Sequence, residues 1–267
     1  MRLKRSIRRE TFEDYLFPAL MLVIAVASWE AYVRIAHVPS FMLPAPSAIV
    51  STLVHDWPTL RDSLLVTLSI TCEALVAATT GGVVLALLFH AWRPLERAFF
   101  PFAVVMQVTP VISIAPLLLV YLSSGEAVLV CAFLVAFFPI LSNTALGLAA
   151  ADHNLIELFE LYGATRWQQL RWLRLPSALP YFLGGLRIGG GLSLIGAIVA
   201  EIAAGSAGSG SGLAYRIMES GFRLNIPRMF AALFLISITG IMIFLFFTVL
   251  SWLLLHRWHD SARAREN

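Results

Sequence analysis

Between Met229 and Leu255 the chain carries no charged side chain. A run of that length is what a helix needs to cross a bilayer, where about 20 apolar residues span the hydrocarbon layer. In that medium every backbone N–H and C=O must be satisfied within the segment, so the helix follows from the apolar run itself. Similar runs recur along the chain. Of 267 residues, 59% are apolar and 13% are charged, about half the charged share of a soluble domain, and the mean hydropathy is +0.81. The expected fold class is therefore all-α and polytopic, with six spans at about 15–36, 64–92, 99–122, 127–151, 181–204 and 229–256. A 1–14 N-terminus, a polar 152–180 segment and a 257–267 C-terminus complete it. The first run competes with a signal-peptide reading, since Ala25-Val26-Ala27 resembles a cleavage site. Its apolar continuation through Trp29, Ala31, Tyr32 and Val33 favours an uncleaved helix with an aromatic anchor.

Six spans leave only short connections, so no separate soluble domain fits. No G-x-x-x-x-G-K-[ST] loop is present to cradle phosphates. Any ATP-driven work must come from another chain. The net charge of +3 and pI of 9.1 do not point to nucleic acid, because the basic residues sit at span ends and form no stripe. They report orientation instead. Placing the N-terminus, the 90–98 loop, the 152–187 segment and the C-terminus on one side leaves only Arg34, Arg61, Arg216, Arg223 and Arg228 opposite, out of 19 Lys and Arg. By the positive-inside bias both termini are expected in the cytoplasm. Cys72 and Cys131 lie in apolar runs, and no metal or disulfide framework is expected.

The 152–178 segment reads as two short helices. Asn154-Leu155-Ile156-Glu157 offers an N-cap with Glu three residues on, and Thr165-Arg166-Trp167-Gln168 is a capping box. Gly163 divides them, because only glycine turns into the left-handed region cheaply. Pro176 and Pro180 are expected to stop the second helix before the fifth span. The first helix carries Leu155, Ile156, Leu158, Phe159, Leu161 and Tyr162, too apolar for a solvated loop and too short to span. Either the protein's own span ends cover that surface or another protein docks on it.

Glu157, Gly163 six residues later and Leu173-Arg174-Leu175-Pro176 resemble the cytoplasmic "EAA" loop, E-A-A-x(3)-G-x(9)-I-x-L-P, of binding-protein-dependent ABC importer permeases. Leu158 and Phe159 replace the two alanines, and Leu173 replaces the isoleucine. Leu43-Pro44-Ala45-Pro46-Ser47 is similar to a stretch of the nitrate/sulfonate/taurine branch. Ile114-Ala115-Pro116-Leu117, Phe137 to Thr144, Leu179-Pro180-Tyr181, Gly185-Leu186-Arg187-Ile188 and Val199-Ala200-Glu201 extend the likeness. The resemblance implies a type I ABC importer permease-like fold, a homodimer in the bacterial inner membrane, an ATP-binding cassette subunit docked on each copy and an extracytoplasmic solute-binding protein. It implies no cofactor on this chain, with ATP and magnesium on the cassette subunit. The coupling residues it implies are Glu157, Leu158, Phe159, Leu161, Tyr162, Gly163, Ala164, Arg166, Leu173, Leu175 and Pro176.

Polar groups inside spans are candidates for a translocation pathway. Gln107, Thr109 and Ser113 interleave with Pro110 and Pro116, and Asn143 and Thr144 follow Pro139. Proline frees carbonyls that neighbours or a wet cavity must satisfy, so these residues either line the pathway or hold helices together. Glu201 lies about 20 Å along the helix from Arg187, too far to pair. It faces the pathway, braces an external gate or bonds neighbouring backbone. Arg187 is expected to snorkel or pack on the docking loop. Glu30 and Arg34 form an i,i+4 pair. Gly184 to Gly196 give the fifth span a smooth flank for close helix approach or a sliding gate. Gly205 to Gly212 read as a mobile outer loop.

The leading expectation is the permease subunit of an ATP-driven importer of a small polar or anionic solute. The competing one is a proton-coupled secondary transporter using Glu73 and Glu201. An integral membrane enzyme lacks a paired carboxylate, metal or nucleophile constellation.

Overall fold

The computed structural model describes residues 3–205 and 210–256, with side chains from residue 16 onward. The central residues of the expected mobile loop, 206–209, and the C-terminal residues 257–267 lie outside the described residues. The chain folds as α1 (Leu3–Ile35), α2 (Pro46–His55), α3 (Trp57–Ala91), α4 (Arg93–Val108), α5 (Val111–Tyr121), α6 (Ser124–Ala149), α7 (His153–Leu161), α8 (Arg166–Gln169), a π-helical stretch (Leu170–Arg174), α9 (Leu175–Ala204), α10 (Leu213–Phe222) and α11 (Ile226–Leu255). No strand occurs among the described residues. Five helical segments are long and apolar enough to cross a membrane: Leu16–Ile35, Trp57–Ala91, Ser124–Ala149, Arg166–Ala204 and Ile226–Leu255.

The stretch expected as a span at 99–122 is the pair α4 and α5, together long and apolar enough for a broken span or a re-entrant loop and bent by 99°. Pro110 has no N–H to continue the ladder, and the residue before a proline is driven out of the helical region. Thr109 accordingly sits in extended backbone, at φ −73° and ψ 125°. The fifth span departs in the opposite sense. The helix starting at Arg166 stops at neither Pro176 nor Pro180 but runs to Ala204, with Pro180 inside α9. The π-helical stretch takes up one extra residue, with the Leu175 N–H donating to the Leu170 carbonyl. This shift puts Pro176 in the first turn of α9, where a missing N–H and a bulky ring disrupt least. The connection between the fifth and sixth expected spans also holds a helix, α10.

Two compact units emerge. One comprises residues up to 60 together with 216–233. In it the α1 pair of Glu30 and Arg34 reaches further than expected. Glu30 accepts the Ser47 backbone N–H (2.9 Å) and hydroxyl (2.7 Å) at the start of α2, neutralising helix-terminal donors that no intrahelical carbonyl can reach. Asp56 accepts from Arg228 Nε at 2.6 Å, and the rings of Trp29 and Phe230 lie 5.9 Å apart.

The other unit comprises residues 61–215 and 234 onward, and its centre is α6 laid against α9. Small residues set that spacing. A Cβ on Gly147 would fall 2.8 Å from Ala178 Cα, one on Gly185 2.8 Å from Asn143 Cβ and one on Gly196 2.9 Å from Ala132 Cα. Gly190 instead faces Phe247 of α11, whereas Gly184 and Gly191 meet open space. Close approach therefore accounts for part of the glycine flank. The exterior is as apolar as the interior: Leu245, Phe246, Val249 and Leu253 of α11 are all about half exposed or more, as a lipid-facing surface requires.

Candidate functional site

The α7–α8 elbow is built from the residues that the sequence singled out, with one change at its start. Asp152, not Asn154, is the N-cap of α7: its side chain accepts the Asn154 N–H at 2.8 Å. Beginning the helix two residues earlier lets the Asp152 carboxylate reach the second N–H of the first turn, one of the donors that an N-cap side chain serves. Glu157 points outward and meets His153 Nε2 at 3.0 Å. At the other end, the Gly163 N–H donates to the Glu160 carbonyl and the Ala164 N–H to the Phe159 carbonyl, both at 2.9 Å, closing a Schellman motif with Gly163 at φ 70°. The next helix starts at once: the Gln168 N–H donates to Thr165 Oγ1 (3.3 Å) and the Thr165 N–H to Gln168 Oε1 (2.7 Å).

This geometry presents a small apolar face to the outside. Leu158 is 44% exposed, and Leu161 and Tyr162 are each 82% exposed. Glu157 and Arg166 are also exposed, while Phe159, Ala164 and Pro176 are half-buried. Leu173 lies apart from that face, buried at 7% inside the π-helical stretch, and Leu175 follows it on the side of the span. The elbow thus divides into an outward contact face on α7 and an inward anchor at Leu173 and Pro176.

The polar residues of the spans divide as well. Thr144 donates to the Ile140 carbonyl at 2.6 Å, and Asn143 Nδ2 to the Pro139 carbonyl at 2.8 Å. Both satisfy their own helix where it meets α9. Thr109 donates to the Val105 carbonyl at 2.7 Å beside the bend, and Gln107 and Ser113 flank the bend with exposed side chains. Arg187 stacks its guanidinium over the Phe244 ring at 5.6 Å, away from the elbow. Glu73 is exposed on α3.

Glu201 is 4% exposed and fully engaged. One carboxylate oxygen accepts the Thr67 hydroxyl at 2.7 Å and the other the Ala214 N–H at 3.0 Å. Thr67 Oγ1 in turn accepts the Leu213 N–H at 2.9 Å. Side chains from α3 and α9 therefore cap the first turn of α10, and a negative charge there suits the helix dipole. Gly212 is required beside it, since a Cβ at that position would overlap the Glu201 carboxylate. Sequence reasoning singled out Glu201 but missed Thr67. The available signal is the register Ser63, Thr67, Thr71: one turn apart, all buried at 1% or less, they form a polar stripe on the inner side of an otherwise apolar helix.

Comparison with known proteins places this architecture. Residues 78–257 match the model of the family described as binding-protein-dependent transport system inner membrane component. The chain is 32% identical over 270 residues, covering 96% of each chain, to the riboflavin transport system permease protein RibX of Chloroflexus aurantiacus. It is 35% identical over 236 residues, covering 85% of this chain and 90% of the relative, to the formylaminopyrimidine transport permease protein ThiX of Halalkalibacterium halodurans. A solved structure of an amino acid ABC transporter with histidines aligns at a TM-score of 0.61 and 18% identity, over 76% of this chain and 95% of that one. That likeness concerns the fold. With the family model covering both the elbow and the α6–α9 core, the chain belongs to the binding-protein-dependent transport system inner membrane components, the permeases of ABC importers.

Proposed function

We propose that the chain forms one half of the translocation pathway of an ATP-driven importer, paired with a second copy of itself in the bacterial cytoplasmic membrane. An ATP-binding subunit docks on the α7 elbow of each copy, and that subunit holds the ATP and magnesium. A solute-binding protein delivers the solute from the opposite side. Both termini and the elbow face the cytoplasm in this reading, as the distribution of Lys and Arg favours. The observation that carries it is the face of Leu158, Leu161 and Tyr162: three large apolar side chains held outward by a helix of nine residues, on a sharply fixed turn. Exposed apolar surface of that kind marks a contact with another protein.

Coupling is then mechanical. ATP binding draws the docked subunits together and carries both elbows, and the spans change between two packed arrangements that open to opposite sides. Gln107 and Ser113, at the α4–α5 bend, are the pathway-lining residues in this reading, whereas Asn143, Thr144 and Glu201 brace helices. The solute is a small polar compound. RibX and ThiX, named for riboflavin and formylaminopyrimidine, favour a nitrogen heterocycle. A second reading, a sulfonate, rests on 27% identity over 248 residues to the putative aliphatic sulfonates permease SsuC of Bacillus subtilis.

The test is co-reconstitution with the cognate ATP-binding subunit and binding protein, and uptake of a solute panel that includes both classes. Gly163→Val is expected to abolish ATP-dependent uptake while the permease still inserts and dimerises. Uptake at the level of the unaltered protein would reject the coupling role, and uptake that persists without ATP but collapses with the proton gradient would favour a secondary transporter.

A further inference from the structure

A cavity of about 1160 Å³ lies where α3 and α6 end, roofed by α7 and α8, behind the apolar docking face of the elbow. Its rim holds four arginines: Arg93 and Arg97 from α4, Arg166 from α8 and Arg174 from the π-helical stretch. Two carboxylates, Glu96 and Glu160, also reach the cavity, but neither forms an ion pair with these arginines. Among the described residues, Arg93, Arg97 and Arg166 have no carboxylate within 4 Å, and Arg174 donates only to the Leu148 carbonyl, at 3.2 Å. The floor is of the opposite character, with Ala86, Phe89, Ala145 and Leu170. The depth is set by the spans. α3 ends at Ala91 and α6 at Ala149, and Trp92, which follows α3, and Trp167, which lines the cavity, are each more than 60% exposed, as aromatic side chains are at the boundary between lipid tails and headgroups.

We propose that this cavity is a binding site for the headgroup of an anionic phospholipid. Guanidinium groups present paired N–H donors that match phosphate oxygens, and four of them around one space with two carboxylates leave an excess of positive charge that favours an anion. The apolar floor suits the glycerol and first acyl carbons, which a soluble phosphate lacks. Basic pockets between helix ends are where membranes supply phosphate at high local concentration. A bound headgroup would tie the α3–α4 turn, through Arg93 and Arg97, to the elbow, through Arg166 and Arg174. Its bearing on coupling rests on the function proposed above, but the binding itself does not, so it is measured without transport.

The experiment is native mass spectrometry of the delipidated full-length permease titrated with phosphatidylglycerol or phosphatidylcholine. One phosphatidylglycerol per chain is expected to be retained with clear preference over phosphatidylcholine. Each arginine near the membrane surface contributes about a fivefold gain in affinity, so R93Q/R97Q is expected to weaken retention about 25-fold and R166Q about fivefold. R93K/R97K is expected to stay within a few-fold, and R61Q, whose arginine pairs with Asp62 at 3.0 Å away from the cavity, to be unchanged. Should the glutamine pair fail to fold, R166Q measured against R61Q decides between the same two outcomes. Equal retention of both lipids, unchanged retention in R166Q, or displacement of phosphatidylglycerol by equimolar inorganic phosphate would overturn the proposal. So would crosslinking from Arg166→Cys that catches an acidic segment of the ATP-binding subunit inside the cavity. Loss of uptake with intact lipid binding would strike at the importer reading alone.

Discussion

Removing the Glu201 carboxylate is the most direct way to ask whether a buried charge organises the start of α10. In Glu201→Ala two donors lose their acceptor, the Ala214 N–H and the Thr67 hydroxyl, in a site that is 4% exposed. An orphaned buried group costs about 1–3 kcal/mol. The loss of the carboxylate's own desolvation offsets part of this, which leaves about 2–4 kcal/mol set against the first turn of α10. At about 1.4 kcal/mol per tenfold, the Ala214 amide is then expected to exchange with deuterium roughly 30-fold to several hundredfold faster. Glu201→Gln keeps one carbonyl acceptor and the side-chain shape, so its effect is expected to be nearer about tenfold. Thr67→Val gives an independent fingerprint: it strips the acceptor from Leu213 and is expected to accelerate that amide first. Residue-resolved exchange in detergent reads all three variants. Wild-type protection of Ala214 in Glu201→Ala, or of Leu213 in Thr67→Val, would refute the capping argument.

Three further outcomes follow from the packing and charges. Gly147→Ala places a methyl against the Ala178 backbone, 2.8 Å from Cα, and is expected to destabilise by about 1–3 kcal/mol through overpacking; Gly191→Ala, in open space, serves as a near-neutral control in the same thermal assay. Asp56→Asn breaks a largely buried pair with Arg228, 14% and 23% exposed, and is expected to lower stability by about 1–3 kcal/mol, with Asp56→Asn/Arg228→Gln recovering part of it. The Arg216 hydrogen bond, helped by the charges of Arg216, Arg223 and Arg228, holds the Glu219 carboxyl below the usual range despite its partial burial. Its contribution is therefore complete above the ordinary glutamate pKa and is lost as pH falls through the depressed one, so the acid limb of the thermal midpoint is expected to flatten in Glu219→Gln.

The sequence was readable where a signal is local and each residue's reason lies within a turn of it. Apolar runs gave the helices, Thr165 and Gln168 gave a cap at the position observed, and Gly163 gave the turn. It was less readable where the outcome depends on how the backbone absorbs a defect. Pro110 and Pro176 present the same chemistry in sequence. At Pro110 the carbonyls before it were left to a 99° bend, whereas at Pro176 a π-helical stretch moved the proline to a helix start. Nothing in the flanking residues distinguishes these responses, because the difference lies in what packs around each segment. The third kind of feature, a partner across the fold, was half legible. Glu201 stood out as a charge in an apolar run, but its partner Thr67 is 134 residues away and only the buried polar stripe on α3 hinted at it.

The continuity of the helix from Arg166 to Ala204 changes how the two sites relate. A rod of 39 residues rises about 58 Å at 1.5 Å per residue, with the elbow arginines and Leu173 at one end and Glu201 at the other. Had Pro176 ended the second helix, a displaced elbow would have met a hinge before the span, and little of its motion would have passed beyond it. Because the π-helical stretch carries the backbone hydrogen bonds across that point, the rod has no such hinge there. It is also clamped along its length, since Gly147, Gly185 and Gly196 bring α6 into backbone contact with α9 and packed helices shift as units. In the proposed importer, a docked subunit that moved the elbow would therefore tilt α6 and α9 together, and the displacement would arrive at Glu201, which holds the first turn of α10 through the Ala214 N–H directly and the Leu213 N–H by way of Thr67. The brace at the far end is thus the structural element whose integrity a coupled elbow would test in every cycle.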